Sequence, residues 1–164
     1  MRYLAVPLLT MLAAVEAMAG QELPTAPGRG EPAAAMQMVL PTLAGIWAYS
    51  NPNAKKNGDV YQWVAARAEI TQEGDKVQGK YECTYAVPAG EKLNPKVSFS
   101  FEGRLVSEVV SFDLKPPLKG NFKILKTSAA ELAVSYFIQN AAKQGINFGE
   151  IPENDPQPLA RLAQ

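Results

Sequence analysis

The chain has 164 residues, with 16 basic and 16 acidic side chains, one Cys and no His. A neutral, mixed-charge surface argues against nucleic acid or an anionic membrane as partner, because both demand a basic patch. The lack of His removes Ser-His-Asp and Cys-His catalysis and the usual zinc sites.

The first residues have the form of an export signal. Met1-Arg2 is a short positive start, Tyr3 to Val15 an apolar core, and Ala17-Met18-Ala19 offers small residues for cleavage. That core is far short of the ~20 residues of a bilayer span, so a signal peptide over 1–19 is expected, with no membrane span in the mature chain. Its loss removes one Arg and one Glu, leaving the formal charge at zero. No Cys follows the apolar run, so no lipid anchor is expected. An export signal, a single Cys and no Asn-x-Ser/Thr sequon together fit a bacterial cell envelope, periplasmic or secreted.

Residues 20–32, rich in Pro and Gly, read as a flexible linker. Residues 33–164 form one domain in this reading. A short helix is expected from Pro32 to Leu40, where Pro suits the first turn and an Ala/Met run follows; Pro41 ends it.

Period two dominates thereafter. Ala44–Ser50 reads as a first strand and Val60 to Ile70 as a longer one. Glu73 to Lys76, EGDK, is a hairpin turn. In VQGKYECTYAV, Val77, Gly79, Tyr81, Cys83, Tyr85 and Val87 share a face opposite Gln78, Lys80, Glu82 and Thr84. In VSFSFEGRL, Val97, Phe99, Phe101 and Leu105 alternate with Ser98, Ser100, Glu102 and Arg104. Such alternation marks sheet with one wet side. Val109 to Leu114 and Asn121 to Lys126 add two segments, broken by Pro116-Pro117. Ser128 to Glu131 matches a helix capping box, yet Leu132, Val134, Tyr136 and Ile138 fall on one strand face. Strand is chosen for Glu131 to Ile138, with one helical turn at Asn140 to Gln144. A last segment lies near Leu159–Leu162. The sum is an all-β domain, a single antiparallel up-and-down barrel of about eight strands.

Gly45-Ile46-Trp47 resembles the G-x-W opening of the lipocalin and avidin families, the calycin-type barrels. The resemblance implies a barrel whose Trp47 lies at the closed end, beneath a basic residue from the last strand, here Arg161. The lipocalin T-D-Y motif is absent, and the avidin biotin set cannot be placed residue by residue, so the resemblance carries a shape and not a ligand. Tyr85-Ala-Val-Pro88 and Asn94 to Gly103 also resemble segments of uncharacterised exported bacterial β-domains.

The inward aromatics are Tyr81, Tyr85, Phe99, Phe101, Phe122 and Tyr136. An eight-stranded interior either packs solid or leaves room for one small ligand. Three phenols need hydrogen-bond partners, which a ligand could supply. Tyr81, Tyr85, Phe101 and Tyr136 are therefore the candidate site for a small amphipathic ligand. The alternative is a filled barrel that presents Tyr61 and Trp63 outward to an unknown envelope protein. A hydrolase working through Glu69 and Glu82 is a remote third reading. No cofactor and no metal are expected; Glu150, Glu153, Asn154 and Asp155 read as a solvated turn rather than a Ca²⁺ loop. Cys83, on an apolar face without His or CxxC, reads as a small core residue rather than a nucleophile. An exported chain with one Cys keeps it buried or pairs it with another molecule.

Overall fold

The computed structural model describes residues 42–106 and 110–163. The expected signal peptide (1–19), linker (20–32) and helix from Pro32 to Leu40 lie outside the described residues, as does Val109. Eight strands carry the fold. They are β1 Gly45–Ser50, β2 Trp63–Glu73, β3 Lys76–Tyr85 and β4 Lys96–Arg104, followed by β5 Val110–Leu114, β6 Gly120–Thr127, β7 Glu131–Ile138 and β8 Gln157–Arg161. Each pairs antiparallel with the next in sequence, and β8 returns to β1 through Trp47↔Arg161 and Ala48↔Ala160. The sheet is therefore a closed up-and-down barrel, as the alternating pattern predicts, and closure leaves no unpaired barrel edge.

The sequence explains the local geometry. Gly74, at φ 63°, supplies the left-handed residue of the two-residue turn joining β2 to β3. At Ser128 the capping-box residues serve a different end. Ser128 Oγ accepts from the Glu131 and Ala130 amides at 2.9 and 3.3 Å, and the Ser128 amide donates to the Glu131 carbonyl at 2.8 Å. The same side-chain chemistry that caps a helix here closes the β6–β7 hairpin. Ala141–Gln144 forms a single 3₁₀ turn ended by left-handed Gly145.

Some boundaries differ from the pattern-based expectation. The expected strand Val60 to Ile70 breaks at Gln62. Val60–Tyr61 pairs with Lys56–Asn57 as a small separate ladder, while β2 runs on to Glu73. The final strand begins two residues earlier than expected, at Gln157, and stops at Arg161. A short ladder, Glu150–Ile151 on Phe137 and Tyr136, was not visible in the pattern.

Side chains fill the interior in matched pairs, bulky beside small. Ala68 stands directly across from Trp47, and Gly79 across from Phe101. A Cβ on Gly79 would lie 2.5 Å from the Glu69 carbonyl oxygen and 2.6 Å from the Phe101 ring. Trp47, Tyr81, Phe101, Phe112 and Phe122 are fully buried. Each such side chain contributes about 1.5–3 kcal/mol of burial.

Strand directions sort the connections. The tight β2–β3 and β6–β7 turns lie at the Trp47 end. The longer connections, 51–62, 86–95, 115–119 and 139–156, gather at the opposite end, the mouth.

Candidate functional site

The closed end is built from β1, β8 and the residues just before β1. Arg161 holds its guanidinium carbon 4.4 Å above the Trp47 ring centre. Its Nη2 donates to the carbonyls of Thr42 and Ala44 at 2.8 and 3.2 Å, and the indole N–H donates to the Leu43 carbonyl at 2.9 Å. The seam between first and last strand is thus pinned by one cation over one ring.

Above it runs a polar seam inside an apolar wall. Tyr81 on β3 donates its hydroxyl to the Oε1 of Gln157 on β8. Gln157 is wholly buried, and its Nε2 meets the Cys83 sulfur at 3.9 Å. Nearer the mouth, the Tyr85 and Tyr136 hydroxyls lie 3.0 Å apart, and Tyr136 donates to the Phe148 carbonyl at 3.0 Å. That bond uses the Tyr136 proton, so Tyr85 is the donor between the two phenols.

Burial makes all these groups hard to ionise. It pushes the Cys83 thiol up to about 11, opposed by its polar neighbours Tyr81 and Gln157. It pushes the Tyr85 phenol up to about 12, opposed by its bond to Tyr136. Tyr81 and Tyr136 lie well above the ordinary phenol range, again chiefly through desolvation. At neutral pH the seam is a set of neutral donors and acceptors. Cys83 is a free, buried thiol.

The four expected ligand residues all face inward and are buried. Tyr81, Tyr85 and Tyr136 are brought together, with ring centres of Tyr81 and Tyr136 5.6 Å apart. Phe101 sits one layer away, stacked on Phe122 at 4.4 Å, and Phe122 in turn contacts Tyr81 at 5.3 Å. Two residues of this set escaped the sequence pattern. Gln157 precedes the segment that reads as the last strand, and Phe148 stands in a connection with no periodicity.

The mouth is crossed by connections that clasp one another. Phe148 stacks on Tyr85 at 4.0 Å and 13°, with Tyr61 edge-on at 5.2 Å. Tyr61 donates its hydroxyl to Glu91 at 2.5 Å, and Lys56 bridges the same carboxylate at 2.9 Å while lying over the Tyr61 ring. Together they hold the Glu91 carboxyl below the usual carboxylate range, the Tyr61 bond foremost.

Two expectations are corrected by this geometry. Tyr61 and Trp63 do not project outward; both are half-buried and pack against the core. For Trp63 the reason is a bulge between Trp63 and Ala65, which shifts the β2 register by one residue, whereas Tyr61 belongs to the separate ladder with Lys56 before the break at Gln62. Trp63 then pairs with inward-facing Tyr85 and packs its ring on Tyr49, 6.2 Å away. Nor do Glu69 and Glu82 face each other as an acid pair. Their cross-strand partners are Lys80 and Arg67, and the carboxylates bond Arg67 at 2.8 Å and Lys80 at 2.6 Å respectively. Of the acidic turn, Glu153 is taken up by Lys123 at 2.5 Å.

A surface concavity of about 990 Å³ lies at the Trp47 end, lined by Ile46, Thr71, Ala130, Arg161 and Leu162 among others. It is separate from the tyrosine seam.

Fold and site together define a closed eight-stranded antiparallel β-barrel with an aromatic interior and a buried tyrosine–glutamine seam. Comparison with known protein families, with characterised proteins and with solved structures finds no match.

Proposed function

We propose that this protein is an exported, non-catalytic barrel of the calycin type, lipocalin- or avidin-like, that binds a small amphipathic ligand in its interior toward the mouth. The supporting observation is the chemistry of the seam. A core selected for stability alone gains little from three phenols and an amide, because buried polar groups must first recover their hydration. Here Tyr81, Tyr85, Tyr136 and Gln157 occupy the heart of the barrel. The three phenol protons are accepted within the protein by Gln157, Tyr136 and the Phe148 carbonyl, so a ligand with an apolar body and a polar acceptor would take the place of one of these partners. The signal-like pattern of residues 1–19 supports a place of work in the periplasm or outside the cell. The absence of His is the ground for a non-catalytic role.

Native mass spectrometry of protein purified from its own host tests the reading. The expected spectrum carries an adduct of small-molecule mass, which organic extraction removes and Tyr136→Phe weakens. A bare polypeptide mass after gentle purification, with no small molecule in the extract, would sink it.

A second reading, an envelope interaction module with a filled barrel, draws support from the packing. Tyr81, Phe99, Phe101, Phe122 and Tyr136 already contact one another in a continuous ring cluster. Under that reading the same extraction yields nothing, and a protein partner co-purifies instead.

A further inference from the structure

Among the rings at the mouth, Phe148 stands out by contributing both its ring and its main-chain carbonyl. Tyr85 and Tyr136 belong to barrel strands, whereas Phe148 belongs to the connection between β7 and β8. It brings two things to the mouth at once. Its ring lies flat on Tyr85, with Tyr61 edge-on beside it. Its main-chain carbonyl accepts the Tyr136 hydroxyl, which in turn takes the proton of Tyr85. A planar ring and an adjacent neutral acceptor are what the seam can recognise, and here one loop residue supplies both.

We propose that Phe148 holds the ligand's place within the protein's own chain, as a built-in plug that a planar, uncharged molecule bearing a carbonyl-type acceptor displaces from between Tyr85, Tyr61 and Tyr136. This rests on the ligand-binding reading above and specifies its chemistry. The ring of the ligand stacks on Tyr85, and its acceptor takes the Tyr136 proton. Burial keeps both phenols protonated, so they serve as donors, and an anion would gain no cationic partner from them.

The attachment of the plug is compatible with exchange. Gln144, Gly145 and Asn147, just before it, are exposed, and the residue itself is only half-buried. The connection is anchored on its far side by the Glu150–Ile151 ladder with buried Ile151, and around Phe148 itself by Ile146 packed on the core and a few bonds. Gly149 accepts from the Ile138 amide at 2.7 Å, and Asn147 accepts from the Asn94 amide at 2.7 Å. Opening confined to residues 144–148, ahead of that ladder, would free Phe148 without unfolding the barrel. Retraction of Phe148 would leave an aromatic slot and a phenol without an acceptor, a combination that favours an incoming group of the same kind.

The test uses the full mature chain and the neutral naphthyl ketone prodan, a planar ring with one carbonyl, whose emission shifts to the blue in an apolar, water-poor site. Phe148→Ala is expected to bind it saturably at one per chain and at least tenfold more tightly than wild type. Adding Tyr136→Phe should take back about tenfold, the worth of one hydrogen bond at a buried site. Phe148→Leu, which keeps apolar filling but removes the ring, should fall between and serves if the alanine variant does not fold. Equal affinity in wild type and Phe148 variants would overturn the plug while leaving the ligand reading intact. Failure of every folded variant to bind would overturn both. Tight binding that ignores Tyr136→Phe would overturn the assignment of the acceptor.

Discussion

Arg161 lies over Trp47, and the two residues are also backbone neighbours across the strand pair that closes the barrel. One contact therefore joins the first strand to the last. The guanidinium reports on closure because its Nη2 also ties down Thr42 and Ala44, where the chain enters β1.

Arg161→Ala should destabilise the fold by about 1–3 kcal/mol, combining a partly desolvated cation–π contact with the loss of charge-assisted hydrogen bonds. Arg161→Lys should recover only a minor part, since an ammonium keeps the charge but not the planar stack or the fork. Chemical denaturation followed by tryptophan fluorescence measures both. Equal stability of the Ala variant and wild type would mean that the seam does not depend on this pair.

At Gly79 a single methyl group meets both backbone and ring. It would strike the Glu69 carbonyl oxygen on one side and the Phe101 ring on the other. Gly79→Ala is expected to cost about 1–3 kcal/mol, the usual range for overpacking. Combining it with Phe101→Leu should relieve the ring clash but not the backbone one, so the double variant should stay less stable than Phe101→Leu alone. Thermal melts of the four proteins would decide the point.

Tyr81→Phe deletes the donor to Gln157 and leaves a buried amide oxygen unpaired, at about 1–3 kcal/mol. Gln157→Leu should mend part of that loss when added to Tyr81→Phe. A double-mutant cycle that shows strict additivity would contradict a coupled seam.

High pH should unfold the protein cooperatively. Cys83, Tyr81, Tyr85 and Tyr136 all have folded pKa values raised above those of the unfolded chain. The native state then holds protons that the unfolded state releases, so stability falls as pH rises. The contribution is whole below about pH 8.5, the ordinary thiol range. It is lost progressively above that, and is gone once pH has passed about 11 for Cys83 and about 12 for Tyr85. Spectrophotometric titration of tyrosine should show Tyr81, Tyr85 and Tyr136 ionising only together with loss of the near-ultraviolet dichroism. Cys83 should resist alkylation until the same transition.

Much of the barrel is legible in the order of residues. Alternation in 77–87 and 97–105 marks which side chains go inward, and a strand has only two faces, so Tyr81, Tyr85 and Phe101 could be assigned from spacing alone. Glu131 to Ile138 resolves the same way, because four apolar residues on one strand face outweigh a local capping motif. Trp63 is misread for a related reason. Period two holds only while the register holds, and the bulge before Ala65 reverses it by one residue.

By itself, then, the order of residues determines the main barrel strands and the direction of most of their side chains, while the pairing of Trp47 with Arg161 follows only from the resemblance to calycin-type barrels. Tertiary structure decides what meets inside. Gln157 reaches Tyr81 only because the sheet closes, and Phe148 reaches Tyr85 only because a connection without periodicity folds back over the mouth. Hydrophobic periodicity is a local property of a strand and encodes a face. A contact between residues 76 positions apart depends on the curvature and closure of the whole sheet, which no single strand encodes.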